Sequence, residues 1–291
     1  MFYDEDLVAD LRFNILNEYV NEFIVVESRF THSGEKRKLL FDINKYSKFK
    51  NKIKYIVIED EPSDLYEIDG TENFDEKNSK YILNALKREN FQRNQISRGL
   101  NDALPEDFII ISDVDEIPNL EEINFKKNEN KIILFNQKFF YYKFNLKLQN
   151  FDWYGSKACK MANLNSPQWL RNIKSKKYPF WRVDTFFSNT RYQNILFVKN
   201  GGWHFSNLKT PEAIERKMST YLHHREYDLN PLGTEKIKQI INNKKAIYNL
   251  RADKKADKIG NTQDLVVVNM SELPNYIQNN IEKYKDWIET N

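Results

Sequence analysis

The sequence predicts an α/β protein with a mainly parallel central sheet flanked by helices and a helical C-terminal tail. Two observations support this prediction. Short apolar runs typical of buried strands alternate with longer segments of helical period, and this alternation builds parallel sheets that are covered on both faces. The chain has 291 residues, of which 40% are hydrophobic, so it can also bury a large core.

The first elements are predicted from apolar spacing. Leu7, Leu11 and Ile15 recur every four residues, which predicts an amphipathic helix over 6–17. The run "EFIVVES" predicts a short buried strand, and "IKYIVIE" predicts a second one. An imperfect helical period over 78–100 predicts a long helix that leads into "DFIIISD", the third strand.

The second half is rich in aromatic residues and ends in helical patterns. The stretch "KIILFNQKFFYYKFNLKLQNFDWYG" predicts further strands. Thr210 followed by Pro211 is typical of a helix start, and "TEKIKQIINNKK" and "LPNYIQNNIEKYKDWI" predict two later helices. Since no repeat or linker divides the chain, we expect a main domain over 1–230 and a helical extension over 231–291 packed on it.

Composition and charge exclude several classes of function. Lys and Arg number 45 against 42 Asp and Glu, and a net charge of +3 is too small to indicate nucleic acid or a membrane surface as partner. The single cysteine, Cys159, excludes an intrachain disulfide and a cysteine-based zinc cluster. The sequence shows no signal-peptide pattern and no apolar run long enough for a membrane span, so we expect a soluble, cytoplasmic protein.

The most informative stretch is "FIIISDVDEIP", where a predicted buried strand ends in three acids. Side chains alternate along an extended chain, so Asp113 and Asp115 project to the same side. Ligands of open α/β sheets bind beyond the carboxyl ends of the strands. Two carboxylates placed there suit Mg²⁺ or Mn²⁺, which also bind diphosphate oxygens. The sequence therefore predicts a metal-diphosphate site at Asp113 and Asp115.

His204 is the histidine that the sequence favours as a further ligand. It lies in "NGGWHFSNL", where two glycines permit close backbone approach and aromatic residues flank the ring. An imidazole there would complete a metal shell, and a purely structural histidine is the alternative.

Three stretches, in this order, resemble glycosyltransferase family 17, the β-1,4-N-acetylglucosaminyltransferase III type: "FIVVESRFTHSGEKRKLLF", "FQRNQISRGLNDALPEDFIIISDVDEIP" and "GGWHFSNLKTPEAIERK". Together they extend the resemblance over roughly residues 5–230. It implies a GT-A-like nucleotide-sugar-binding fold for the domain over 1–230. It also implies inverting transfer of a sugar from a UDP-sugar, with UDP-GlcNAc expected, to a glycan acceptor, with Mn²⁺ or Mg²⁺ as the cofactor.

The resemblance also assigns roles to individual residues. In the family the Asp-x-Asp acids position the metal and the nucleotide, and a late histidine commonly joins the metal shell in GT-A enzymes. The acid and serine that end the first strand lie where such folds hold the nucleoside, and an arginine in "QRN" faces the diphosphate. The implied metal ligands are Asp113, Asp115 and His204. The implied nucleotide-binding residues are Glu27, Ser28, Arg93 and Asp113.

Inversion needs a carboxylate that acts as general base for the acceptor hydroxyl. Glu116 is the first candidate because it follows the two metal-binding acids, and its alternative is to pair with an arginine and support the site. Asp184, in "FWRVDTFF", is the second candidate, and pairing with neighbouring arginines is its alternative. Trp153 and Trp181 are candidate platforms for a sugar ring, with core burial as the alternative.

Two other functions stay open at this point. The stretch "FIIISDVDEI" also resembles haloacid-dehalogenase-type phosphatases, in which Asp113 would be the nucleophile and Asp115 the acid/base. Against that interpretation, the motif lies far from the chain start and no later acidic pair follows a strand. The third possibility is an inert nucleotide-sugar-binding or carbohydrate-binding protein that has kept the fold.

Overall fold

The structure, a computed structural model, describes residues 1–179, 181–185, 187–221, 224–250 and 263–290, apart from the side chain of residue 226. Over these residues the chain is a mixed α/β protein. The strands are β1 (Phe23–Ser28), β2 (Ile53–Ile58), β3 (Phe108–Ile111), β4 (Glu116–Pro118), β5 (Ile132–Phe135), β6 (Gln137–Tyr141), β7 (Leu146–Trp153), β8 (Lys157–Lys160), β9 (Ile195–Val198), β10 (Gly202–Ser206) and β11 (Leu265–Val267). The helices are α1 (Asp6–Leu16), α2 (Phe74–Asn94), α3 (Pro167–Asn172), α4 (Pro211–Thr220), α5 (His224–Leu229), α6 (Thr234–Asn242), α7 (Asn275–Asn279) and α8 (Ile281–Tyr284).

The strands form three sheets. β1 and β2 pair in parallel, a second sheet has the order β3-β8-β5-β9, and a third has the order β11-β7-β6-β10-β4. Among the described pairs, β5 with β9 and β6 with β10 are also parallel, and the other five pairs are antiparallel. The prediction of a mainly parallel sheet is therefore wrong. Residues 142–145 between β6 and β7 are too few for the crossover that parallel strands require.

The helix and strand predictions for the first half are confirmed with small changes of boundary. α1, β1, β2 and β3 lie where their apolar patterns place them. The long helix α2 begins earlier than predicted because Asn73 and Glu76 form a capping box: Asn73 Oδ1 accepts from the Glu76 amide, and Glu76 Oε2 accepts from the Asn73 amide. Thr210 and Pro211 start α4 as predicted.

The C-terminal part contains the predicted helix α6, but the second predicted helix is replaced by the two short helices α7 and α8. It also contains β11, which the sequence analysis missed and which pairs with β7, Leu265 opposite Leu148. Lys283 Nζ lies 2.5 Å from Asp10 Oδ2 on α1. Residues 251–262 of the predicted extension lie outside the described residues. Within the described helices, none combines the length and the apolar character needed to cross a membrane.

The acids predicted to form the site lie where two sheets part. β3 is the edge strand of the second sheet and β4 is the edge strand of the third, and residues 112–115 connect them. Buried apolar side chains hold both strands, because Ile111 and Ile117 are 2% and 0% exposed. The acidic turn therefore rests on packed strands at both ends.

Candidate active site

Main-chain and side-chain hydrogen bonds fix the acidic turn. The Asp113 amide donates to Glu116 Oε2 at 2.9 Å, and the Glu116 amide donates to the Asp113 carbonyl at 3.1 Å. Arg12 of α1 donates to the carbonyls of Asp113 and Glu116 at 3.2 and 2.6 Å and to Ser112 Oγ at 2.5 Å. Burial lowers the pKa of Arg12 to about 10, so it stays charged at neutral pH. Arg12 was not predicted as a site residue.

Glu116 lies beneath the turn and does not face a ligand. Its side chain is 1% exposed, and Arg171 of α3 donates to Oε2 and Oε1 at 2.8 Å each. Trp153 Nε1 also donates to Oε1 at 2.8 Å, and a Cβ on Gly155 would come within 2.1 Å of the carboxylate. This geometry does not support the prediction that Glu116 is the general base, because its oxygens are engaged and shielded. Its alternative, pairing with an arginine, describes the contact found.

Asp113 is held by two guanidinium groups. Arg93 Nη2 lies 3.1 Å from Oδ1, and Arg171 Nη2 lies 3.0 Å from Oδ2. Burial alone would raise the pKa of Asp113, but the charges of Arg171 and Arg93 outweigh burial and hold that pKa well below its usual range. Asp113 is therefore a fixed carboxylate whose two oxygens already have cationic partners, and the expectation that it ligates a metal directly needs correction.

Arg93 orients Asp113 instead of facing a ligand. Its side chain is 3% exposed, and it also donates to Gln168 Oε1 at 2.6 Å and to Glu89 Oε1 at 2.8 Å. A guanidinium group that already donates to three acceptors has few N–H groups left for a diphosphate. The predicted direct contact of Arg93 with the nucleotide is thus replaced by support of Asp113.

Asp115 and His204 form the second part of the site. Asp115 Oδ2 lies 3.5 Å from His204 Nε2, and the Phe205 amide donates to the Asp115 carbonyl at 2.8 Å. His204 stands opposite Glu116 in the β4–β10 pair, and its ring packs edge-on against Phe139 at 4.2 Å. Burial would raise the pKa of Asp115, but the charge and hydrogen bond of His204 outweigh burial and lower that pKa.

The Asp115–His204 pair fits a divalent cation better than the predicted three-residue set does. Two ligands of one such ion lie roughly 3 to 3.5 Å apart when the bonds are about 2.1 Å long and meet near a right angle. His204 Nδ1 is buried without a hydrogen-bond partner among the described residues, so only Nε2 faces a polar neighbour. No cluster of three or more His, Cys, Asp or Glu side chains suited to a metal occurs in the described part of the chain. A cation would therefore take its remaining ligands from the substrate and water.

Two glycines bring β10 into position. Gly202 has φ +119°, and a Cβ there would lie 2.1 Å from the Ile117 carbonyl oxygen on β4. A Cβ on Gly201 would lie 2.5 Å from the Asn136 amide. The close backbone approach expected from "NGGWHF" is therefore present, and it places His204 beside the acidic turn.

The acidic turn borders a pocket of about 210 Å³. Its lining comes from the start of the chain, the loop after β1, α2, the acidic turn and α4. The polar side chains that line it are Tyr3, Glu5, Thr31, His32, Arg37, Glu89, Gln92, Asp113, Asp115, Lys217, Thr220 and Tyr221. Lys217 was missed as a site residue, although the family-like stretch "TPEAIERK" ends on it. Lys217 is the one lysine among the described residues that line the pocket. Its charge helps to lower the pKa of Asp115.

Glu27 lies behind the pocket. It is fully buried and accepts from the amides of Leu40 and Phe41 at 2.8 and 3.0 Å, from Tyr55 Oη at 2.7 Å and from Arg37 Nη2 at 2.8 Å. Since these donors occupy both oxygens, this geometry does not support the predicted contact of Glu27 with a nucleotide. Glu27 instead holds Arg37, which does line the pocket.

Ser28 lies at the carboxyl end of β1, where the sequence analysis expected it. Its Oγ accepts from the Phe30 amide at 3.0 Å. It borders a small cleft of about 10 Å³, which shares Phe30, His32 and Gln92 with the larger pocket. Burial lowers the pKa of His32, whose Nε2 lies 3.1 Å from Gln92 Oε1, so this imidazole is neutral at neutral pH.

Asp184 is not part of this arrangement. It lies in a short 3₁₀ segment, Val183–Thr185, and its oxygens accept from Arg182 Nε at 2.6 Å and Arg191 Nη1 at 2.9 Å. The hydrogen bond from Arg182 is the main reason why the pKa of Asp184 falls to about 2. This geometry does not support the predicted role as general base, and the structure shows its alternative, ion pairing with neighbouring arginines.

Comparison with known proteins gives one family. The description "Glycosyltransferase family 17" matches residues 1–289. The chain is 25% identical over 231 residues to the beta-1,4-mannosyl-glycoprotein 4-beta-N-acetylglucosaminyltransferase of Mus musculus, and equally similar to the proteins of that name from Homo sapiens and Rattus norvegicus. Each alignment covers 72% of this chain and 40% of the relative, so the chain spans less than half the length of these relatives. No solved structure gives a significant match.

Proposed function

Because the chain belongs to glycosyltransferase family 17, we propose that it is a metal-dependent inverting glycosyltransferase with a GT-A-like fold, which moves a sugar from a UDP-sugar to a glycan hydroxyl. UDP-GlcNAc is the first donor to test, since the similar proteins are named as N-acetylglucosaminyltransferases. The observation that carries the proposal is the turn at the pocket, where a fixed Asp113 stands beside an Asp115 carboxylate 3.5 Å from His204 Nε2.

Asp115 and His204 are the residues that would hold the cation, Mn²⁺ or Mg²⁺. Hard divalent cations commonly use one or two protein carboxylates and complete their shell with substrate phosphate oxygens and water. When bound, the cation acts as a Lewis acid that neutralises the charge growing on the departing diphosphate.

The protein supplies two further groups for the donor. Lys217 brings a positive charge to the pocket wall, where an ammonium group can donate to diphosphate oxygens. Asp113 is kept ionised by Arg93 and Arg171, and its carboxylate lines the pocket with 28% of the side chain exposed. A fixed carboxylate of this kind accepts hydrogen bonds from donor hydroxyls and so orients the sugar nucleotide.

The end of the pocket at His32 and Gln92 suits the nucleoside. His32 and Gln92 form one hydrogen-bonded pair there, and Ser28 borders the adjoining cleft. Neutral donors and acceptors of this type read a base or ribose without requiring a counter-charge. Of the nucleotide-binding residues expected from the sequence, Ser28 is the one that this proposal keeps next to the nucleoside.

The general base must come from another carboxylate than Glu116 or Asp184. Besides Asp113 and Asp115, the acids of the described pocket lining are Glu5 and Glu89. Glu89 is the first to test, because Arg93 holds its Oε1 and thereby fixes the side chain at the pocket wall. A base of this kind has to reach the acceptor hydroxyl within hydrogen-bond distance.

The phosphatase alternative loses support at Asp113. A phosphatase of the haloacid-dehalogenase type needs Asp113 as a nucleophile, and here both of its oxygens pair with arginines. An inert binder would share the same pocket, so a catalytic assay has to separate it from the transferase.

The test is a donor panel with matched variants. Binding of UDP-GlcNAc, UDP-Gal, UDP-Glc and GDP-mannose is measured by calorimetry with and without Mn²⁺, followed by release of the nucleoside diphosphate. We expect one UDP-sugar to bind in a metal-dependent way, and Asp115→Asn and His204→Gln to lose that dependence. Asp184→Asn, which changes an exposed acid outside the pocket, serves as the control. Binding without turnover would support the inert binder, and no binding of any nucleotide sugar would refute the proposal.

A further inference from the structure

The loop over 174–192, between α3 and β9, exposes apolar side chains to an unusual degree. Phe187, Val183 and Trp181 are 90%, 67% and 66% exposed, and they are the three most exposed large apolar side chains among the described residues. They fall within seven residues of sequence. Single exposed apolar residues are common, but a cluster of this kind marks an interaction surface.

The same loop concentrates positive charge. It contains Lys174, Lys176, Lys177, Arg182 and Arg191 against a single acid, Asp184, although the whole chain has a net charge of only +3. The three lysines are exposed. Asp184 pairs with both arginines and offsets one of their two charges, so most of the remaining positive charge of the loop comes from the three lysines. We define the Trp181 patch as Trp181, Val183, Phe187, Lys174, Lys176 and Lys177.

Internal contacts hold the main chain of this loop. Thr185 donates from its amide to the Arg182 carbonyl at 3.2 Å, and Arg182 donates from its amide to the Pro179 carbonyl at 3.1 Å. The Lys174 amide donates to the Thr190 carbonyl at 2.8 Å, which ties the two ends of the loop together. Trp181, Val183 and Phe187 therefore project from a loop whose described residues are tied together by main-chain hydrogen bonds.

We propose that the Trp181 patch docks on the surface of an anionic lipid bilayer. Tryptophan and phenylalanine favour the boundary between headgroups and acyl chains, and lysines beside them are attracted to anionic headgroups. The patch combines both chemistries. A neutral glycan would stack on the aromatic ring and accept hydrogen bonds from lysines, but it has no negative charge to match three of them, so the charge favours an anionic lipid surface as the partner.

The position of the loop links the proposed bilayer contact to the candidate active site. It begins directly after α3, whose Arg171 binds Asp113 and Glu116 in the candidate active site. A bilayer bound at the Trp181 patch would therefore hold the proposed transferase with its arginine-bearing helix next to the lipid surface. This inference does not depend on the sugar or the acceptor.

The test is flotation of the full chain with vesicles of phosphatidylcholine alone and of phosphatidylcholine mixed with phosphatidylglycerol. We expect binding only to the mixed vesicles, and weakening of that binding by salt. Trp181→Ser combined with Phe187→Ser should abolish binding. Phe74→Ser combined with Leu104→Ser, at side chains that are 64% and 65% exposed elsewhere, is the matched control and should bind as the wild type does.

A charge series completes the test. Lys174→Gln, Lys176→Gln and Lys177→Gln together should lower the partition coefficient about a hundredfold, and the same changes at Lys126, Lys127 and Lys236 should lower it far less. Thermal unfolding of every variant checks that it is folded. The proposal is overturned if the wild type does not float with anionic vesicles or if the control variants lose as much binding. It is also overturned if the Trp181 variants bind vesicles normally and only raise KM for a soluble glycan acceptor.

Discussion

Arg171 and Glu116 form a bidentate ion pair, in which two guanidinium nitrogens lie 2.8 Å from the two carboxylate oxygens. The residues are 55 positions apart in sequence and come from α3 and β4. The same guanidinium group also binds Asp113, so it connects the buried Glu116 to the half-buried Asp113, which lines the pocket. The acid that follows the Asp-x-Asp pair therefore supports the site from below.

Arg171→Lys should weaken this support. A lysine ammonium group cannot offer the planar fork that meets both oxygens of Glu116 and also reaches Asp113. We expect the free energy of unfolding to fall by about 1 to 3 kcal/mol and the transfer rate to fall more than about tenfold. Urea unfolding and the initial rate measure the two effects. Arg182→Lys, in an exposed ion pair, should change stability by less than about 1 kcal/mol.

Glu116→Gln distinguishes a supporting acid from a base. Removing the charge leaves Arg171 without its buried partner, so we expect a loss of about 3 to 5 kcal/mol in the free energy of unfolding. The acidic limb of the pH profile of kcat should keep its midpoint, because Glu116 does not accept the acceptor proton. If that limb disappears and kcat falls about a hundredfold or more, Glu116 is the base after all.

Gly202→Ala should be strongly destabilising. The φ of +119° disfavours any side chain, and a Cβ there would lie 2.1 Å from a main-chain oxygen. We expect a loss of at least about 2 kcal/mol in the free energy of unfolding. Gly70→Ala is the matched control: Gly70 has φ +90° but nothing within 4 Å of the added Cβ, so only backbone strain of about 1 kcal/mol applies. Equal losses in the two variants would contradict the close approach of β10 to β4.

The ion pairs of Asp113 with Arg93 and Arg171 predict that the protein loses stability in acid. Arg171 and Arg93 hold the pKa of Asp113 well below the ordinary value of 3.8, so the folded protein keeps this carboxylate charged when the unfolded chain has protonated it. The stability that these pairs contribute is therefore complete above pH 3.8 and is lost as the pH falls further. We expect the difference in unfolding free energy between the wild type and Asp113→Asn to shrink from pH 5 towards acid. A difference that stays constant with pH would show that the carboxylate charge plays no part.

Lys217→Gln should weaken donor binding without affecting the fold. The side chain lines the pocket, and the loss of one charge-assisted hydrogen bond to a diphosphate corresponds to about a tenfold rise in Kd. Calorimetry with UDP-GlcNAc and Mn²⁺ measures the change. Lys238→Gln, on the exposed side of α6, is the control. An unchanged Kd would remove Lys217 from the donor site.

Local patterns were sufficient to predict the elements that carry the acids. β1, β2 and β3 were found because each is a short apolar run, and α4 was found because Thr210 and Pro211 mark its start. The position of the Asp-x-Asp pair at a strand end followed from β3 alone. These features depend only on neighbours in sequence, which is why the sequence reveals them.

The partners of the acids could not be predicted in the same way. Arg12 and Arg171 reach Glu116 across 104 and 55 residues, and no local pattern marks such contacts. Strand alternation gave no signal for Glu116 either, because the Glu116 amide donates to the Asp113 carbonyl and closes a turn where the prediction assumed an extended chain. For Asp184 the alternative that the sequence offered, pairing with neighbouring arginines, is the contact found, and a loop instead of a strand carries it.

The ion pair of Lys283 with Asp10 affects the order in which parts of the protein fold. The two residues are 273 positions apart. Arg12, on the same helix as Asp10, donates to the acidic turn about a hundred residues downstream. Contacts of such long range slow folding, because the intervening chain must be ordered before they form. The aromatic cluster of α1 has partners nearby in sequence, since Phe13 packs on Phe23 and Tyr46 at 4.9 and 5.0 Å. We therefore expect this cluster to form early in folding, and the acidic turn to be fixed later, after Arg171 and His204 have been ordered.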